Sequence, residues 1–598
     1  MAEERACCVV SVCGPPDSPE PAAGPWSCSG VVLSRGPGLV LCRGAVFTPF
    51  LRAGPAAWAQ PRALPLDALQ PRLSILVLQP PATSLDVPAP PQSPTGNSLR
   101  RHEARLLALV PCGTFQQALA LAFGPAEQWR FGGEAAGVDP RALHWFAWLR
   151  VPGLDTPGGG WTGRASAGRL RKGEGLLACG SPFGALCPDL FLNTLSRGVV
   201  SNLAGEENAL VLTDARCLPG TEGGGAFLPS PSGPLLVAVI AASFCWKGAE
   251  WVGLTLLCSL DAILGSSAGV LGDAGVVVPP VPLVQGVTVQ AGAGQDPLGW
   301  VALVECGAAW GSGVLLAPRL LLTCRHVVEA RAPLHVTLTP SPGRAATVLG
   351  GRVVFATEES SPFDVAVVEL EESVPGFIPP RPADTFLPGE EVSVVGFGAL
   401  GRACGPSVTA GVLSAVVAVA GHAIMLQTTC AVHGGSSGGP LVSSHSGHLL
   451  GITLLPARDR GQQHPGHRRR GHLPPPQLLH PHHCPAAPCC VLPPHWRPRC
   501  LCRPQPGGRR GAGSMAAPAR TPQQALSPPP GGSWARNRAA MSPLWPQRCW
   551  GRAPGPCGAD GGDGVGSITV PLPACWCPQT RGVCGLFCFL PGAINAVS

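Results

Sequence analysis

The 598 residues contain no tyrosine, and only 13% of them are Asp, Glu, Lys or Arg. The missing tyrosine reads as compositional bias. The low charged fraction leaves little material for a solvated surface, and the net charge of +7 is small for this length. Arginine is clustered in the last third, with no basic face interleaved with aromatics, so nucleic-acid binding is excluded as a reading. No apolar run reaches the ~18 residues that span a bilayer. The longest, Leu235 to Phe244, has the length of a strand. The N-terminus, MAEERACC, has acidic residues where a secretory signal has a basic start and an apolar run. The 26 cysteines are therefore read as mostly free thiols of a reducing compartment, not as a secreted disulfide framework.

What is present is a large apolar fraction, 45%, in a chain too long for one core. Gly (79) and Pro (70) punctuate it. Short Val- and Leu-rich runs bounded by these turn formers read as buried strands. They recur from Cys7 to Ser259 and again from Trp300 to Thr453. Many short strands at close spacing predict an all-β barrel or sandwich. The predicted organisation is a first domain over 1–264 with an insertion near 55–140, a linker over 265–298, and a second domain over 299–454. Leu106–Phe123 is expected to form a short helix inside the insertion. After Thr453 the texture changes to Pro, Arg, His, Gly and Cys without a strand or helix period. Such composition does not offset ordering entropy, so residues 455–598 are expected to be mostly disordered. The break is abrupt enough to suggest an alternative reading frame.

The two domains repeat one another. Trp26-SCSGVVLSRGPGLVLCRGAV matches Trp310-GSGVLLAPRLLLTCRHVV. Further along, Gly173 aligns with Gly389, Gly220 with Gly435 and Ser232 with Ser446, at a nearly constant offset. The offset between Gly30 and Gly313 is larger, which places the extra residues of the first copy between its early strands and the rest.

Acyl transfer by a serine needs a nucleophile, a base, a carboxylate to orient the base, and donors for the oxyanion. The second copy offers all four, in the order His326, Asp364, Ser437. Ser437 lies in GGSSGGP, where small residues let the chain turn sharply and aim the backbone N–H groups of Gly435 and Ser437 at a substrate carbonyl. His326 ends an apolar strand in LLLTCRHVV, and Asp364 precedes one in SPFDVAVVEL. The upstream carboxylates Glu358 and Glu359 sit in a polar loop, not at a strand start. This set needs no cofactor and no metal. In the first copy the alignment places Gly44, Trp145 and Glu222 at the three positions, so that copy reads as non-catalytic.

GSSGGPL, TCRHVV and FDVAVVEL resemble the trypsin-like superfamily, and the run GFG…GVLS…QTT…GSSGGPL…GI is similar to its HtrA-like branch. The resemblance implies two tandem chymotrypsin-like units of paired β-barrels, the first degenerate. With GSPFG and LTDARCLPGTEGGG in that first copy, the whole of 25–453 resembles the family of peroxisomal leader peptide-processing proteases. That implies a serine endopeptidase acting on peroxisomal matrix proteins that bear leader peptides, self-cleavage between the halves and self-association.

Two departures from the family bear on this. The chain ends Asn595-Ala-Val-Ser598, not in the expected Ser-Lys-Leu-type address. Cytosolic retention is therefore the alternative to the peroxisome. The hairpin expected after Leu449–Thr453 is replaced by the tail, so the second unit is expected to be truncated. Trp251-VGLTLLCSL is a candidate for the same hairpin in the first copy. A catalytically impaired partner of the full-length protease is then the alternative function. His480, His482, His483, Cys484, Cys489 and Cys490 are dense but match no closed zinc spacing.

Overall fold

A computed structural model describes residues 6–15, 25–80, 99–124, 129–132, 139–243, 245–248, 250–280, 296–328, 332–338, 346–361, 363–419 and 422–455. The tail from 456 to 598, with its His/Cys cluster, lies outside the described residues, as does 281–295.

Strands β1 (Cys7–Cys13), β2 (Trp26–Arg35), β3 (Gly38–Arg43), β4 (Ser74–Gln79), β5 (Arg100–Pro111), β6 (Trp129–Phe131) and β7 (Trp145–Arg150) begin the first half. All but β6 close a barrel in the order β1-β2-β3-β7-β5-β4. Next come β8 (Gly175–Gly180), β9 (Thr194–Ala204), β10 (Leu210–Thr213), β11 (Gly225–Leu228), β12 (Leu235–Ala242), β13 (Cys245–Lys247), β14 (Glu250–Trp251) and β15 (Thr255–Ser259). Six of these close a second barrel, β10-β15-β12-β11-β8-β9, while β14, β13 and β6 form a small separate sheet. Most of these strands are apolar and largely buried, as β3 and β12 are, while β5 and β9 are buried over only part of their length.

The second half repeats the plan. Strands β16 (Val301–Cys306), β17 (Ala309–Ala317), β18 (Leu320–Thr323), β19 (Leu334–Leu338), β20 (Thr347–Ala356) and β21 (Ala366–Leu370) close a third barrel, β16-β17-β18-β21-β20-β19. Strands β22 (Glu391–Gly396), β23 (Ser407–Val419), β24 (His422–Thr428), β25 (Pro440–Ser443) and β26 (Leu449–Ile452) form a five-stranded sheet, β24-β23-β22-β25-β26. In the first half β15 pairs with both β10 and β12 and so closes the barrel. The counterparts of those two strands, β24 and β26, are the two edges of the five-stranded sheet. Among the described residues no strand joins them, so the fold is all-β and tandem with its last barrel open.

Three boundaries differ from the sequence expectation. Residues 55–140 also supply β4 and β5, the counterparts of β19 and β20, so part of that stretch is barrel wall. Leu106–Pro111 belongs to β5, and the helix α1 starts only at Gly113 and ends at Phe123. The β-bulge between Leu106 and Ala108 blurs the strand alternation there. The stretch expected as linker begins inside a second helix, α2 (Leu260–Asp273). Ser259 caps it by accepting from Ala262 N at 3.2 Å. Leu260, Ile263, Ser267 and Leu271 repeat at helical spacing and bury one face. Ser267 Oγ accepts from the indole N–H of the buried Trp148 at 2.9 Å, which ties α2 to the first barrel. Gly275, at a φ of 71°, ends the run. Among the described residues no two cysteines form a disulfide.

The halves are joined by side chains that bond to backbone atoms. Asp214, just after β10, accepts from Val199 N at 2.7 Å and from Ala410 N at 2.6 Å, bridging β9 to β23. Lys172 donates to the carbonyls of Cys404 and Pro406, each at 2.8 Å. These charged groups satisfy backbone atoms that packing would otherwise bury without partners.

Candidate active site

His326 sits in a single 3₁₀ turn (Arg325–Val327) at the end of β18, and Asp364 lies two residues before β21. The ladder pairs Thr323 with Ala366, so the two loops leave the barrel side by side. His326 N donates to Asp364 Oδ1 at 2.8 Å, and the ring nitrogen Nδ1 forms a short hydrogen bond with Asp364 Oδ2. The Asp364 carboxyl feels two opposed effects. Burial pushes it up, but the hydrogen bonds from the His326 ring and backbone, with the charges of His326 and Arg325, hold it below its ordinary value.

Ser437 comes from the loop between β24 and β25. Its carbonyl accepts from Ser312 N at 2.8 Å, and Ser312 Oγ donates to Gly435 O at 2.8 Å. Thr323 Oγ1 donates to Ser312 O at 2.6 Å, which links this loop to the end of β18. A side chain at Gly311 would meet both Val327 and the Ser437 carbonyl, which places Ser437 beside the residue that follows His326. Among the described residues the Ser437 hydroxyl makes no hydrogen bond to the His326 ring. Serine–histidine contacts are often long in unliganded sites and tighten with substrate. Gly435 has a φ of 96°, a left-handed conformation that glycine adopts without strain. Among the described residues neither Gly435 N nor Ser437 N has an acceptor, so two donors are open beside the hydroxyl.

The corresponding loop of the first half has the same backbone. Gly220 and Gly223 have φ values of 96° and 88°, the values of Gly435 and Gly438. Ser29 repeats the contacts of Ser312, with Ser29 N to Glu222 O at 2.9 Å and Ser29 Oγ to Gly220 O at 2.8 Å. Glu222 thus occupies the Ser437 position, as the alignment had it. Its carboxylate folds back, accepting from Gly220 N at 2.8 Å and from the Ser243 hydroxyl at 2.5 Å. The donor that is open in the second half is filled in the first by the chain's own side chain. Trp145 takes the Asp364 position, fully buried, with its indole N–H on the Trp58 carbonyl at 3.0 Å. The His position needs a correction of one residue. Gly30 pairs with Cys42 as Gly313 pairs with Thr323, so Ala45, not Gly44, stands where His326 does.

A family model described as "Trypsin-like peptidase domain" matches residues 311–452, a span that includes His326, Asp364 and Ser437. The chain is 47% identical over 515 residues to the mouse (Mus musculus) peroxisomal leader peptide-processing protease, covering 76% of this chain and 87% of that one. The chain belongs to the peroxisomal leader peptide-processing protease family. The human (Homo sapiens) member is 46% identical over 507 residues, covering 77% of this chain and 87% of its own. The protease is a trypsin-like serine hydrolase, and both of its halves fall within these alignments, since three quarters of the chain cannot be reached by the second half alone.

Sequence reading missed His433 in this protease. It is buried two residues before Gly435, and its Nδ1 accepts from Ala399 N at 2.9 Å. A Cβ at Gly398 would lie 1.5 Å from the His433 ring, so only glycine leaves room for it. Burial lowers the His433 pKa to about 4; the Glu250 charge and the Gly434 backbone oppose that, and Lys247 adds to it. The unfolded chain therefore binds this proton more tightly than the folded one. Stability is full above about pH 6.5 and falls as pH drops toward about 4, by about 3 kcal/mol for the site. The expected result is a Tm that falls between pH 6.5 and 4.5 in wild-type protein and falls less in His433→Gln, whose Oε1 can accept the Ala399 bond without titrating. His144, buried and also lowered to about 4, retains its own share of the slope in both proteins. Equal slopes would count against this assignment.

Proposed function

We propose that this protease is an endopeptidase of the peroxisomal matrix that removes N-terminal targeting leaders from imported proteins and processes other matrix enzymes. The observation that carries the reading is the His326–Asp364 pair beside a serine loop with two open backbone donors. In this reading Ser437 Oγ attacks the scissile carbonyl and His326 Nε2 takes its proton. Asp364, on the other ring nitrogen, fixes the tautomer and stabilises the imidazolium that forms. The developing oxyanion is held by Gly435 N and Ser437 N. His326 then returns the proton to the leaving amine, and water releases the acyl group by the same route. The family's name supports the substrate class and the compartment in this reading. The first half, with Ala45, Trp145 and Glu222 at the three positions, is a scaffold that does not cut.

One observation favours a second reading. The counterpart of β15 is missing among the described residues, and in this fold the strands after the nucleophile line the specificity pocket. A chain lacking that wall would act as a binding or regulatory partner of the full-length protease. Purified protein incubated with a synthetic peptide spanning a leader junction separates the two. Appearance of a single new N-terminus, detected by mass spectrometry and absent with Ser437→Ala, is the expected result. Intact peptide together with stable co-purification of the full-length protease would establish the second reading and overturn the first.

A further inference from the structure

We propose that Glu250, a residue of the first half, is a positioning residue for the oxyanion loop of the second half. The claim rests on the protease reading above. Glu250 lies on the β13–β14 hairpin, which the barrels do not use. The hairpin is anchored through β6, where Cys245 pairs with Phe131 and Lys247 with Trp129. From this platform Glu250 Oε1 accepts from Gly434 N at 3.0 Å. Gly434 immediately precedes Gly435, whose N–H is one of the two open donors. Lys247, on the neighbouring strand, donates to Ala399 O at 3.2 Å. The amide of that same Ala399 donates to His433. The hairpin thus grips both segments that meet behind the loop, 397–399 and 433–436.

The physical argument concerns backbone freedom. The run Gly434-Gly435 has no side chains to fix its peptide planes, and glycine is the residue that loses most freedom on ordering. An oxyanion donor works only if it is already aimed when charge develops. Within the second half the loop is held on one side by Ser312, through Gly435 O. On the other side the Gly434 amide is held by a carboxylate, and a hydrogen bond to a charged group is among the stronger ones available. Releasing it frees the peptide that adjoins the donor without touching Ser437, His326 or Asp364. The first half then has a role in catalysis that its own altered triad positions would not suggest.

Wild-type protein, Glu250→Ala and Glu250→Gln are compared by hydrogen–deuterium exchange of the peptide covering 433–437, and by kinetics on a cleavable peptide ester. Glu250→Ala is expected to speed exchange of that peptide at least about tenfold and to lower kcat by about 10- to 100-fold with little change in KM. Glu250→Gln, which keeps an acceptor oxygen, is expected to restore both. Unchanged exchange in Glu250→Ala overturns the proposal, as does a glutamine variant as impaired as the alanine one. A kcat loss matched by a general fall in Tm and faster exchange across both halves also overturns it, since the role would then be structural. Fluorophosphonate labelling of wild-type Ser437 is measured alongside. Its absence counts against the protease reading, while the loop exchange decides the Glu250 claim in either case.

Discussion

Ser437→Ala should abolish labelling by a fluorophosphonate probe and lower kcat on any peptide substrate by roughly 10⁶. The expectation rests on two features of the loop. The other nucleophile near the His326–Asp364 pair among the described residues, the Cys324 thiol, is buried and donates to Thr453 O at 3.4 Å, and the loop backbone is set by glycines and by Ser312 bonds to the Ser437 and Gly435 backbones. Removing Oγ leaves those bonds in place, so Tm should move little and the two open donors should persist. Some catalysis above water should remain, since binding and the oxyanion donors survive. Probe labelling that persists in Ser437→Ala would place the nucleophile elsewhere. Loss of labelling accompanied by unfolding, seen as a collapsed Tm, would mean that the residue is structural.

How much of this site could be read from the chain depended on what kind of atom each contact uses. His326, Asp364 and Ser437 are legible because their chemistry resides in side chains and their order follows the barrel strands. The Ser437–Glu222 equivalence is legible for the same reason: GGSSGGP and GTEGGG align without gaps, and the matching φ values show that the two loops have one shape. The function of Glu222 within that loop was not legible, because its partner is the Gly220 amide, and every residue has an amide. Glu250 and Asp214 were silent for the same reason, since each reaches across the halves to backbone N–H groups.

The one-residue slip at Gly44 has a different cause. Cys42-Arg43 looks like Cys324-Arg325, and side-chain likeness outweighed register. In a strand ladder only the pairing decides which residues correspond, and Gly30 opposite Cys42 settles it for Ala45. Helix α2 was missed because its Gly- and Ser-rich sequence has weak helix propensity. The Ser259 cap and the apolar face against the first barrel supply the stability that propensity does not.

Asp364→Asn is expected to lower kcat by about 10⁴ while leaving the fold intact. The asparagine is isosteric, and its Oδ1 can still accept from His326 N, which is the contact that sets the 3₁₀ turn. The change falls on the other atom. Asp364 Oδ2 now faces His326 Nδ1, and in the variant an NH₂ takes its place. A donor there forces Nδ1 to accept, so the ring proton moves to Nε2 and the ring presents a donor to Ser437 where it must accept. The variant also removes a charge whose folded pKa lies below its ordinary value, so it removes stability that is present above about pH 3.8 and lost as pH falls below that. Wild-type and variant melting temperatures should accordingly converge at acid pH, while the kcat difference near neutral pH stays large. A loss of less than about tenfold would move the orienting role to another carboxylate. Glu358 and Glu359 lie in the loop before Asp364 and are the residues to test next.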